Sequence, residues 1–204
     1  MFIRLASDLQ ENSIVDGEGI RAVIWTQGCP HNCPGCHNPE THDYNGGFLK
    51  DISELEKEID ALDSEVGVTF SGGDPFVQPK ECAEIAHYCH SIGLNVWCYT
   101  GYTYEALLKK SEKHKEVMDF LKEIDILVDG RFLIKRKSYT VKFRGSSNQR
   151  LIDVKKSLKS GNTVIYDLDK SNKRMFYNRD VYIWCLFLFT LKLTCFSLIC
   201  YTLI

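Results

Sequence analysis

Four times along this chain a short apolar run suited to a β-strand ends in a polar or glycine-rich loop, and an amphipathic stretch usually follows. The runs are Ala22 to Trp25, Val66 to Phe70, Leu94 to Cys98 and Ile124 to Val128. Their loops are Gly28 to Asn38, Ser71-Gly72-Gly73-Asp74-Pro75, Tyr99-Thr100-Gly101-Tyr102 and Asp129-Gly130-Arg131. Such alternation is what a parallel sheet with crossover helices produces, so the expected fold class is α/β. In a parallel layer or barrel the loops after the strand C-termini lie on one face, where ligands bind. The four loops are therefore expected to share one rim.

Helices fill the gaps. Ser53 and Glu56 read as a capping box, and Leu55, Ile59 and Leu62 then recur on one face. Pro79 suits the first turn of a second helix, with Cys82, Ile85, Ala86 and Cys89 inward and Gly93 ending it. A third is expected from Lys115 to Lys122, with Val117, Phe120 and Leu121 inward. Tyr139 to Phe143, Leu151 to Val154 and Thr163 to Leu168 are further strand candidates.

With 204 residues the chain has room for one domain with a sizeable core, here placed at residues 1–176. A net charge of −2 offers no basic face for phosphates, and no local patch stands out, so nucleic acid is not expected as a partner. Nine cysteines is a high and odd count, and no apolar leader core precedes them, which favours a reducing cytoplasm over a secreted disulfide scaffold. Residues 177–204 form a separate hydrophobic tail. From Val181 to Ile204, 19 of 24 residues are apolar and Lys192 is the only charge. A membrane anchor is one reading, but Lys192 falls mid-segment, where insertion costs about 2.5–3.5 kcal/mol. A tail foreign to the parent fold, or a packed terminal element, are the others, and membrane attachment is not the expected one.

Cys29, Cys33 and Cys36 set three thiols at C-x3-C-x2-C within eight positions. Thiolates are the ligands of iron–sulfur clusters, which normally take four, so three leave one iron open to another ligand. Structural zinc usually gathers its ligands as two separated pairs, which are absent here, although His31 or His37 stands close enough to complete a zinc set. Cys82 and Cys89, spaced for one helical face, and Cys98 read as core residues.

These residues carry a resemblance. C-x3-C-x2-C after the first strand, with Ser71-Gly72-Gly73-Asp74-Pro75 after the second, resembles the radical S-adenosylmethionine superfamily. Asp16-Gly17-Glu18-Gly19-Ile20-Arg21 is similar to its glycyl radical enzyme activases. The run Cys36 to Thr41, Asn45-Gly46-Gly47 and the run Arg144 to Arg150 are similar to those activases that serve anaerobic ribonucleoside-triphosphate reductase.

The resemblance implies a partial, open (β/α) barrel, whose open side admits a backbone glycine of a large protein. It implies a 4Fe–4S cluster on Cys29, Cys33 and Cys36 that cleaves S-adenosylmethionine reductively. The resulting 5′-deoxyadenosyl radical would leave a glycyl radical on the reductase large subunit. A flavodoxin-type protein would donate the electron. Gly72 and Gly73 would admit the methionine amino group, with Asp74 helping to hold it, although Asp replaces the more frequent Glu. Gly35 stands where many members carry an aromatic residue, so His37, or backbone from Gly35 through Cys36 to His37, would serve the adenine. Asp129 and Arg131 match a D-x-K pattern whose basic residue faces the cofactor, and Tyr99, Thr100 and Gly101 are candidates for the ribose.

Overall fold

The apolar runs pair where the alternation places them. In the computed structural model, which describes residues 1–169, β3 (Arg21–Thr26), β5 (Gly67–Gly72), β6 (Asn95–Tyr99) and β7 (Ile126–Asp129) are adjacent and parallel. Their register aligns Ile24, Phe70, Cys98 and Leu127 in one row, continued by Ile152. All five belong to the main core cluster, packed with Leu55, Ile59, Ile85, Cys89 and Phe120 from the helices. Because strand side chains alternate, one register sends this row into the helices and the intervening Thr69 and Trp97 to the other face.

Antiparallel strands flank the parallel ones. β1 (Phe2–Leu5) and β2 (Gln10–Ser13) pair with β3, β4 (Phe48–Asp51) pairs with β1, and β8 (Arg150–Asp153) pairs with β7. The main order is β4-β1-β3-β5-β6-β7-β8 and the ends do not meet, so the sheet is open as expected. The helices are α1 (Ile52–Asp60), α2 (Pro79–Ser91), α3 (Tyr104–Ser111), α4 (Lys115–Glu123) and α5 (Val154–Ser160).

Three local expectations need correction. The cap of α1 is Asp51, whose side chain accepts from Ser53 N at 2.9 Å, and the Ser53 hydroxyl donates to the same oxygen. Aspartate two residues earlier therefore displaces the expected capping box. Tyr139 to Phe143 is not a strand: Tyr139 is 90% exposed, while Phe143 takes φ +56 and packs on Trp97. Beyond α5, the strand candidate Thr163 to Leu168 makes only the isolated bridge Ile152↔Ile165.

The Asp16-to-Arg21 run has a structural role. Arg21 is fully buried, donating to Thr69 Oγ1 and Asn95 Oδ1, each at 2.7 Å, to the Val68 carbonyl at 2.7 Å, and to the Glu18 carbonyl. Its guanidinium also lies 5.4 Å from the centre of the Trp97 ring. Burial brings its pKa down to about 10, against the pull of Tyr99, Asp125, Asp16 and Glu18, so it stays charged at neutral pH. Gly17, at φ +136, has no room for a Cβ between Arg21 and Trp97. Arg21→Met is expected to lower stability by about 3–5 kcal/mol, since it strands several buried acceptors, and urea unfolding measures it.

Met1–Tyr166 forms one compact unit. The expected boundary at 176 and the hydrophobic tail lie outside the described residues. Among the described residues no helix is long and apolar enough to cross a membrane.

Candidate functional site

The strand ends converge on a cavity of about 260 Å³. The loop after β3 contributes Cys29, His31, Cys33, Cys36 and His37, and the end of β5 with the loop after it contributes Ser71, Gly72 and Gly73. Tyr99, Thr100 and Gly101 come from the end of β6 and the loop after it, and Gly130 and Phe132 from the segment after β7. All four loops singled out by their sequence thus meet in one place.

Local backbone chemistry sets the cysteine loop. Gly28 turns the chain at φ +95, its N–H donating to the Thr41 carbonyl, while Cys29 N–H donates to the His42 carbonyl. Asn32 and Gly35 take positive φ, and Cys36 N–H closes a turn on the Cys33 carbonyl at 3.0 Å. The run after the cysteines folds back to hold the loop: Gln27 donates to the Glu40 and Asp43 carbonyls, and Arg4 to that of Gly46. At Gly47 a Cβ would clash with the Leu5 carbonyl, which explains glycine there.

The three thiols are free and half-buried. Burial pushes the Cys29 and Cys33 thiols up, and nearby Asp74 adds to the effect on both. Among the described residues no three His, Cys, Asp or Glu side chains converge to hold a single metal ion. Thiols that ring a cavity suit a polynuclear group, whose irons each take a separate ligand, better than a mononuclear zinc ion. A buried polar atom in the same wall, His42 Nε2, has no protein partner. The donor set and the cavity therefore fit an iron–sulfur cluster.

Gly72 and Gly73 form the opposite wall. Gly72 takes φ +98 and a Cβ there would come within 2.5 Å of the Thr26 carbonyl oxygen, while one on Gly73 would strike the Gly28 carbonyl. Gly73 N–H donates to the Thr26 carbonyl at 2.7 Å and Asp74 N–H to that of Gly28 at 2.9 Å. Two glycines are thus needed for the second loop to lie against the root of the cysteine loop.

The structure redirects the acidic candidates. Asp74 is fully buried and does not line the cavity. Its carboxylate accepts from Thr100 Oγ1 at 2.9 Å, Gly101 N at 3.0 Å and Phe76 N at 3.0 Å, and lies 2.7 Å from His31 Nε2. Arg131 donates to the His31 carbonyl at 2.7 Å and points its Nε at His31 Nδ1, which leaves the ring proton on Nε2 for Asp74. Asp129, 1% exposed, accepts from Tyr104 N at 2.8 Å and from the Arg150 guanidinium, which also pairs with Glu105. That pairing holds Glu105 down at about 2. Protein donors thus occupy both carboxylates, and neither Asp74 nor Asp129 lines the cavity. Arg131 is exposed at the rim, outside the cavity lining, and Gly35 is also outside it, with the Ile134 side chain against it. His37 does line the cavity, its ring 4.9 Å from that of Phe132.

Sequence reasoning passed over His42, Asp16, Phe132 and Gln149 as individual cavity residues, and weighed His31 only as a zinc ligand. For Gln149 the signal was present in the Arg144-to-Arg150 run. Its Oε1 accepts from Gly145 N and Ser146 N, and its Nε2 donates to the Gly130 carbonyl at 3.0 Å, so it ties that run to the loop after β7.

Residues 15–152 match a family model described as a 4Fe-4S single cluster domain. Among curated proteins, the anaerobic ribonucleoside-triphosphate reductase-activating protein of Salmonella typhimurium is 36% identical over 148 residues, covering 67% of this chain and 90% of that protein. The protein of the same name from Escherichia coli K12 is 35% identical over the same shares, and that of Enterobacteria phage T4 is 30% identical over 67% and 86%. Among solved structures, QueE from Escherichia coli matches 50% of this chain and 54% of its own, at 15% identity and a TM-score of 0.42.

Proposed function

The chain belongs to the family of anaerobic ribonucleoside-triphosphate reductase-activating proteins, and from that premise we propose that it is an oxidoreductase that installs a glycyl radical on such a reductase. The observation that carries this reading is the meeting of three free thiols with glycine-walled loops from all four parallel strand ends. When bound, a reduced 4Fe–4S cluster supplies the electron that breaks the sulfonium C–S bond of S-adenosylmethionine.

The chain's own residues bind and orient. Cys29, Cys33 and Cys36 would hold the cluster through their thiolates, and with only three such ligands it would keep a place for the methionine amino and carboxylate groups. Gly72 and Gly73 offer bare main chain to the amino group. His37, its ring tilted against that of Phe132, serves the adenine, and Thr100 with Gly101 borders the ribose. Asp74 and Asp129 act through the loops they tie together. The sheet's open side leaves a path for a glycine of the partner. A flavodoxin-type donor and a cytoplasmic setting complete the reading.

The test is anaerobic reconstitution with iron and sulfide, followed by dithionite and S-adenosylmethionine. Formation of 5′-deoxyadenosine, and a glycyl radical signal by electron paramagnetic resonance when the purified reductase is added, are the expected results. Cleavage without any radical on the reductase would reject it as the target, and no cleavage would reject the enzyme.

A further inference from the structure

The segment that closes the cavity after β7 has an outer side the proposed chemistry leaves unused. Between Gly130 and Ile152 there is no acidic residue, while Arg131, Lys135, Arg136, Lys137, Lys142, Arg144 and Arg150 are basic. Since the whole chain sums to −2, its remainder is distinctly acidic and the net charge conceals this strip. Lys135, Arg136, Lys137 and Lys142 are exposed, and none forms an ion pair among the described residues. Leu133, Ile134 and Tyr139 stand among them at 43%, 55% and 90% exposure. Apolar and aromatic anchors set among unneutralised charges of one sign have the anatomy of a docking surface for a partner of opposite charge.

Position adds a second, independent observation. Phe132, Gly145 and Gln149, from the same segment, line the cavity, and Ile134 rests against Gly35 in the cysteine loop. A partner seated on the strip is therefore held at the mouth of the site.

We propose that this strip, residues 131–144, seats an acidic surface of the reductase beside the glycine that the reductase presents. The proposal rests on the activase reading above and adds the chemistry by which the partner is recognised. Steering by charge raises the encounter rate, and the apolar side chains give residence once docked.

The test uses the reconstituted full chain carrying Lys135→Glu, Arg136→Glu and Lys137→Glu together, with Lys109→Glu and Lys113→Glu as a control on another face. Without the reductase, 5′-deoxyadenosine formation under dithionite should match wild type in both, which reports on the activase reading alone. With the reductase, wild-type affinity should weaken as salt rises. The triple variant should bind about tenfold or more weakly at low salt, with little salt dependence. Its glycyl radical yield should recover at excess reductase. Equal reductase affinity for variant and wild type overturns the proposal even if wild type cleaves S-adenosylmethionine normally. So does a charge-dependent affinity for an oligonucleotide in place of the reductase, or a loss of self-association with reductase affinity unchanged.

Discussion

Replacing Cys29, Cys33 and Cys36 together by alanine is expected to abolish charge-transfer absorption after anaerobic reconstitution and to bring 5′-deoxyadenosine formation to background. Far-ultraviolet circular dichroism should stay that of the wild type. The contrast follows from where the thiols stand. All three are half-buried in a loop outside the core cluster, so their loss should change stability by only about 1 kcal/mol or less. Each single variant should fail as well, because two thiolates hold a cluster too loosely to keep one iron in a defined place. The matching control is Cys82→Ala, Cys89→Ala and Cys98→Ala. Those cysteines are fully buried, so their replacement should cost stability and leave cluster absorption in whatever folds. If the cavity variant kept full absorption and turnover, the site would be elsewhere.

The parallel strands and the converging loops were legible because each strand is a continuous apolar run and each loop is marked by glycine or cysteine. Of the flanking strands only β8 was, as the candidate Leu151 to Val154, while β1, β2 and β4 were not. Gln10–Ser13 is polar throughout, with Asn12 at φ +58, and it is a strand only because β3 offers an antiparallel partner. Pairing of that kind is a property of the assembled sheet and leaves no local period to read. Tyr139 to Phe143 shows the opposite failure. Its spaced aromatic residues look like a strand face, yet Phe143 is placed by Trp97 and by the Tyr99 hydroxyl, which donates to its carbonyl at 2.9 Å. At the site, the positions of Asp74 and Asp129 were readable, but the direction of each carboxylate was not. Direction depends on Thr100, Gly101 and His31 in one case and Arg150 in the other, all distant in sequence.

Asp74→Ala is expected to destabilise the fold by about 3–5 kcal/mol and to cut turnover of S-adenosylmethionine about hundredfold. The carboxylate is a knot between three strand ends: it belongs to the loop after β5, accepts from Thr100 and Gly101 after β6, and meets His31 after β3. Removing it strands four donors in a site with no solvent exposure. His31 lies between the first two cysteines, so the loop carrying the ligands loses its tether to the glycine wall. A displacement of about 1 Å there is enough to spoil the geometry of bond cleavage. Asp74→Asn keeps the shape and should cost only about 1–2 kcal/mol, and Asp74→Glu should strain a packed pocket that has no room for another methylene. A double-mutant cycle with His31→Ala should show coupling of about 1–3 kcal/mol. Direct contact with substrate predicts something else: an increased KM for S-adenosylmethionine at unchanged stability and no coupling to His31. Unfolding curves for these variants, run beside steady-state assays, separate the two, because a carboxylate that holds loops together must register in both while one that touches only the ligand registers in the assay alone.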